Sequence, residues 1–355
     1  STSSVMASSE ALPVPGFRLS AEAAGIKYEG RLDTVLMALP AGASVAAVFT
    51  RNAFCAAPVQ VAREHLLAQS PRYLLVNTGN ANAGTGDDGI IAARHCCAAV
   101  AECTGVGAEQ VLPFSTGVIG EPLPVEPIVA AIPALEANLS EDAWQAAAEG
   151  MLTTDTRPKL ASRRVALGDD EVTVTGMAKG SGMIRPDMAT MLAYLATDIA
   201  VSPAVLQALW SEVVGRSFNR VTVDGDTSTN DAALLIATGA SSLAPLESAD
   251  DARFRAFADT VEQIALELAQ GLVRDGEGAS KFVAVEVTGG RDEAECLEVA
   301  FTIAHSPLVK TALFASDPNW GRLLAAIGRA DVAGLDVDRV SVLINGTLIA
   351  LSLIH

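Results

Sequence analysis

Hydrophobic positions along this chain follow two periods in turn, which predicts alternating strands and helices. Short apolar runs at 35–39, 44–50 and 73–77, each bounded by Gly, Pro or Asn, read as strands. The stretches 172–175, 232–237 and 282–287 read the same way. Helical patterns occupy 87–103, 126–139, 141–151, 203–214, 252–272 and 293–302, the last continuing towards Ser306. Asp88 is placed to cap the first of these helices and Ser140 the third. The stretch 245–251 reads as a surface connector. Similar amounts of strand and helix, without internal repeats, predict an α/β sandwich.

Composition narrows the class. A chain of 355 residues can bury a large core and divides into two or three lobes. Half its residues are apolar and 19% are charged, the profile of a packed globular protein. A net charge of −18 argues against nucleic acid and against an anionic membrane surface as partners. The acidity is read as solubility. The five cysteines are odd in number and form no Cys-x-x-Cys pair, which fits free thiols in a reducing compartment. The four histidines have no metal-ligand spacing, so no metal is expected. His95 and Cys96 are neighbours on a helix and therefore point apart. Residues 1–15 lack a basic start and include Glu10, unlike a signal peptide, and no apolar run approaches 18 residues. A cytoplasmic location is expected.

Two stretches imitate ligand loops. Gly84-Thr-Gly86-Asp-Asp-Gly89 matches the dinucleotide fingerprint, but it begins well past the preceding strand. Asp87 and Asp88 would also oppose a pyrophosphate. The stretch from Asp224 to Leu235 starts like a calcium loop, yet has Thr229 where glycine is needed and Leu235 where glutamate is needed. A turn rich in side-chain-to-backbone hydrogen bonds is expected there instead.

The chemistry concentrates at 179–192, Lys-Gly-Ser-Gly-Met-Ile-Arg-Pro-Asp-Met-Ala-Thr-Met-Leu. A threonine inside a chain is a poor nucleophile. Cutting the bond before Thr190 would free an α-amine, titrating near 8, to serve as its base. This segment resembles the self-cleavage segment of the ornithine acetyltransferases, also called glutamate N-acetyltransferases. Six further blocks carry the resemblance in order: Asn77–Ala83, Ser115–Gly120, Thr153–Lys159, Thr222–Asp231, Asp275–Lys281 and Asp317–Arg322. The resemblance extends over most of the chain.

The resemblance implies a layered α/β sandwich of the self-cleaving, N-terminal-threonine-nucleophile type, with a smaller α/β lobe. It implies cleavage between Ala189 and Thr190 into an α part, 1–189, and a β part, 190–355, that stay associated as α2β2. The β part reads as shortened at its C-terminus: an asparagine and a hydroxyl residue that contact substrate in the family have no counterpart after 341–349. Thr190 is implied as the residue that accepts acetyl from N-acetylornithine and passes it to glutamate in arginine biosynthesis. Thr116 and Gly117 match the oxyanion pair, although the residues alone would better suit an ordinary turn. Thr153, Lys179, Thr190 and Glu277 match substrate contacts. For Thr153, Lys179 and Glu277 the plain alternatives are a helix cap, a surface charge and a solvated loop acid. No cofactor is implied, and acetyl-CoA stays open as a second acetyl donor. A self-cleaving aminopeptidase- or amidase-like hydrolase and an inactive binding homologue are the competing readings.

Overall fold

The computed structural model describes residues 11–182 and 191–351. The chain forms two compact units, Ser1–Glu277 and Gly278–His355.

In the first unit the chain runs β1 (Arg18–Glu22), β2 (Thr34–Ala38), β3 (Ser44–Phe49), α1 (Ala57–Ala68), β4 (Tyr73–Asn80), α2 (Gly86–Thr104) and β5 (Val111–Val118). It continues through α3 (Val125–Ala137), α4 (Trp144–Gly150), β6 (Lys159–Leu167), β7 (Asp170–Lys179) and β8 (Leu192–Thr197). Three elements complete it: α5 (Pro203–Arg216), β9 (Ala232–Ala237) and α6 (Phe254–Arg274). The strands form two sheets, ordered β1-β2-β4-β5 and β3-β9-β8-β7-β6.

Side-chain alternation explains the layering. Along β2, Val35 and Met37 face the second sheet and join Leu74, Tyr194 and Leu234 in the core between the sheets. Leu36 faces the other way, into a core with Cys97 and Val100 of α2 and Ile132 of α3. The outer face of the second sheet, with Val174 and Leu195, packs on Trp210 of α5 and Ile264 and Leu268 of α6. The result is a helix–sheet–sheet–helix sandwich, as expected from the sequence. Strands buried on both faces are largely apolar, which is why the runs 35–38, 73–76 and 232–237 of β2, β4 and β9 stand out in the sequence.

Three expectations are corrected. Asp88 lies in the first turn of α2 beside Asp87, where both complement the helix dipole, and the N-cap is Thr85. Ser140 is bridged to Leu19 in both directions, at 2.9 Å each. Its hydroxyl accepts from Asp142 N, capping a turn, and α4 begins only at Trp144. The stretch 282–287 is no strand. Val285 and Val287 do pack on the second unit's core, but the two-stranded sheet there pairs β10 (Ser341–Ile344) with β11 (Thr347–Leu351). An alternating pattern is not enough for a strand without a ladder beside it.

The second unit also holds α7 (Glu293–Ala304), α8 (Pro307–Phe314) and α9 (Trp320–Gly328) around Val299, Ile303, Val309 and Ile327. Asp292, Ser306 and Asn319 cap these helices with side-chain bonds to backbone N–H groups. This is the expected smaller α/β lobe. No helix among the described residues is long and apolar enough to cross a membrane.

Candidate active site

Lys179 ends β7 and is only 1% exposed. Its Nζ donates to Thr116 Oγ1 at 2.9 Å and to Thr153 Oγ1 at 2.9 Å. Thr116 lies near the end of β5 in the first sheet, so this lysine ties one sheet to the other. The plain alternatives for Lys179, Thr153 and Thr116 (surface charge, cap, turn) do not hold. An ammonium only donates, so both threonine oxygens accept from it and each hydroxyl proton is left for another acceptor. Burial lowers the Lys179 pKa, while Asp155, with Oδ1 3.9 Å from Nζ, opposes the shift.

A buried charge network supports this lysine. Asp155 Oδ2 accepts from Lys159 Nζ at 2.5 Å and from Gly180 N at 2.7 Å. Lys159 Nζ also donates to Asp275 Oδ2 at 2.6 Å, and Asp275 accepts from the backbone N–H and hydroxyl of Thr156. Burial pushes the Asp155 carboxyl up, but Lys179 and Lys159 outweigh it and hold the pKa below the usual value. At Asp275 burial is outweighed in the same way, by Lys159 and Thr156.

Glu277 is exposed and ordered from beneath. Its Oε1 accepts from Thr154 Oγ1 at 2.7 Å, and its N–H donates to Ser181 O at 2.7 Å. The carboxylate lies against Gly182, where a Cβ would stand 2.6 Å from Oε1. It is thus held in place by Thr154 and Ser181, not free at a loop tip.

Gly117 follows Thr116 with φ +138°, and a Cβ there would come 2.4 Å from Gly79 C and 2.5 Å from Asn80 N. Backbone cannot yield as a flexible side chain does. Gly117→Ala is expected to cost about 3 kcal/mol or more. Thermal melting checks this, and a wild-type melting temperature would show that the strand end moves aside freely.

Ala189 and Thr190 lie outside the described residues. The chain is anchored directly after them: Met191 N donates to Asp231 Oδ1 at 2.8 Å, and Ala232 N donates to Met191 O at 3.1 Å. Asp231 is 1% exposed, and burial holds its carboxyl well above the carboxylate range against the pull of Met191 N–H and Lys179. Sequence reasoning assigned no role to Asp155, Lys159, Asn230, Asp231 or Asp275. All five stand in the quoted blocks, so the signal was present without the contacts that explain it. The 224–231 stretch is the expected hydrogen-bonded turn, with Asp226 N donating to Asp224 Oδ1 and Asn230 N to Ser228 Oγ. His95 is exposed and Cys96 buried, so they form no pair, and burial pushes the Cys96 thiol up to about 12. No three metal-ligating side chains cluster among the described residues.

Known proteins match nearly the whole chain. The bifunctional arginine-biosynthesis protein ArgJ of Pseudomonas syringae pv. tomato is 57% identical over 338 residues, 95% of this chain and 83% of that protein. The protein of the same name from Psychrobacter arcticus is 54% identical over 95% of this chain and 83% of its own length. A solved chain of Mycobacterium tuberculosis ornithine acetyltransferase, complexed with ornithine, is 33% identical over 52% of this chain and 98% of that one, with a TM-score of 0.45. The family model matches residues 18–352, so the chain that builds this lysine-centred site belongs to the ArgJ family.

Proposed function

We propose that this protein is an acetyltransferase of arginine biosynthesis, carrying acetyl from N-acetylornithine to glutamate on Thr190 after its own cleavage at Ala189-Thr190. The observation that carries the reading is the buried Lys179 joined to the Thr116 and Thr153 hydroxyls, one strand away from the segment that follows Thr190. The Thr190 hydroxyl attacks the acetyl carbonyl, and the freed α-amine takes its proton. The Thr116 hydroxyl and Gly117 N–H stabilise the oxyanion, each donor being worth about 3 kcal/mol of barrier. The C–N bond then breaks, the proton passes to the departing ornithine amine, and an acetyl ester remains. The amine of glutamate attacks that ester, restoring the Thr190 hydroxyl. Lys179 and Thr153 hold the substrate carboxylate, and Glu277 meets the ornithine side-chain ammonium.

Cleavage need not separate the fragments. β8 lies inside the second sheet between β7 of the first fragment and β9 of the second. The two fragments stay together and pair as α2β2 in the cytoplasm. Acetyl-CoA forms the same ester as a second donor substrate, a reading supported by relatives named bifunctional.

The test is kinetic. N-acetylornithine alone is expected to add one acetyl mass to the Thr190 fragment, and the steady state to be ping-pong. Glutamate is expected to discharge the ester far faster than water does, because its bound carboxylate brings the amine against the ester. Deacylation indifferent to glutamate would make the protein a hydrolase.

A further inference from the structure

The 222–231 block has no part in the reaction above, yet its last two residues touch both halves of the site. Asn230, 6% exposed, donates its amide Nδ2 to Ser115 O at 2.8 Å and to Ala81 O at 2.6 Å. Ser115 O is the carbonyl directly before Thr116. Ala81 N in turn donates to Val118 O at 2.9 Å, so both bonds act on one strand end. Asp231, the next residue, accepts from Met191 N, directly after Thr190 in the chain.

The oxyanion strand and the strand after Thr190 belong to different sheets. Apolar packing sets the spacing of two sheets at about 10 Å but is non-directional, so it leaves sliding along the strands loosely defined. Reacting groups need placement within about half an ångström. Directional hydrogen bonds between the sheets supply what packing cannot. Three nearby asparagines do not serve this purpose: Asn77, Asn80 and Asn82 donate their amides to Asn80 O, Pro122 O and Gly89 O, within the first sheet and its loops. Asn230 reaches across from the entry to β9.

We propose that Asn230 is a positioning residue which, with Asp231 beside it, clamps the Thr116–Gly117 strand end to the strand that follows Thr190. The inference rests on the reading of Thr190 as acyl carrier and of Thr116 and Gly117 as its oxyanion donors. Losing the clamp displaces the donors from the transition state and leaves the substrate contacts of Lys179, Thr153 and Glu277 in place. The loss therefore falls on kcat.

Asn230→Asp keeps the shape but turns an acid towards two carbonyl oxygens, and Asn230→Ala removes the amide without that clash. In both, kcat for acetyl transfer is expected to fall by about 10- to 100-fold, with KM for N-acetylornithine within about threefold of wild type. Amide hydrogen exchange is expected to speed up in peptides covering 80–83 and 115–118 while β6 and β7 stay protected. If the aspartate variant does not fold, the alanine variant decides. Wild-type kcat in either folded variant, a loss carried by KM, or unchanged exchange at 115–118 overturns the proposal. A wild-type protein that transfers no acetyl group defeats the acyl-carrier reading instead, and exchange at 115–118 then decides the clamp alone.

Discussion

Thr190→Ala is expected to leave one uncut chain of 355 residues where the wild type gives fragments of 189 and 166 residues, Ser1–Ala189 and Thr190–His355. Acetyl transfer is expected to fall by at least about 10⁴-fold, as when a covalent nucleophile is removed elsewhere. One hydroxyl attacks in both reactions, and the amine that activates it in transfer exists only after cleavage. Thr190→Ser is expected to retain part of both. Intact-mass analysis and an acetyl-transfer assay check this. A wild-type chain that stays whole on long incubation, or an alanine variant that transfers at the wild-type rate, would defeat the nucleophile assignment.

Lys159→Met is expected to be the most destabilising single change near the site. Its Nζ lies 2.5 Å from Asp155 and 2.6 Å from Asp275, and all three side chains are at most 4% exposed. Removing the cation leaves two buried carboxylates to repel each other, with Lys179 the remaining cation at 3.9 Å from Asp155. Breaking such a buried pair costs about 3–5 kcal/mol, a fall in melting temperature on the order of 10 °C for a unit of this size. The pH dependence has a definite sign. Asp155 and Asp275 titrate below their ordinary value in the folded protein. Their stabilisation is therefore full above about pH 4 and is lost as pH falls through the lowered values. Thermal melts of both proteins from about pH 2 to 7 should show the gap narrowing on the acid side. A constant gap would mean that Lys159 acts by packing alone.

Apolar runs made three strands buried on both faces legible: β2 and β9 have nearly the expected bounds and β4 runs on to Asn80, whereas β8, equally buried, was not read as a strand. Edge strands were read unevenly: β3 was legible at 44–50, but β1, β5 and β6 were not. β6 carries Arg163 and Arg164, which pair with Glu267 and Glu171 and break the apolar run. β5 contains Pro113, which argues against a central strand, but β5 is the sheet edge where a missing N–H is tolerated. β1, also at an edge, alternates too briefly to be read.

The linear order of residues was sufficient for the class of fold and for the family, because these depend on residue type and on blocks kept in sequence. It could not reveal that Lys179 meets a threonine 63 residues away and another 26 away. Nor could it show that Lys159, an ordinary surface charge by composition, is sealed between two aspartates. Those contacts arise only when two sheets stack and bring strand ends together. Burial then decides which charges must pair, and removing water makes each pairing far stronger than the same residues would show in an open chain.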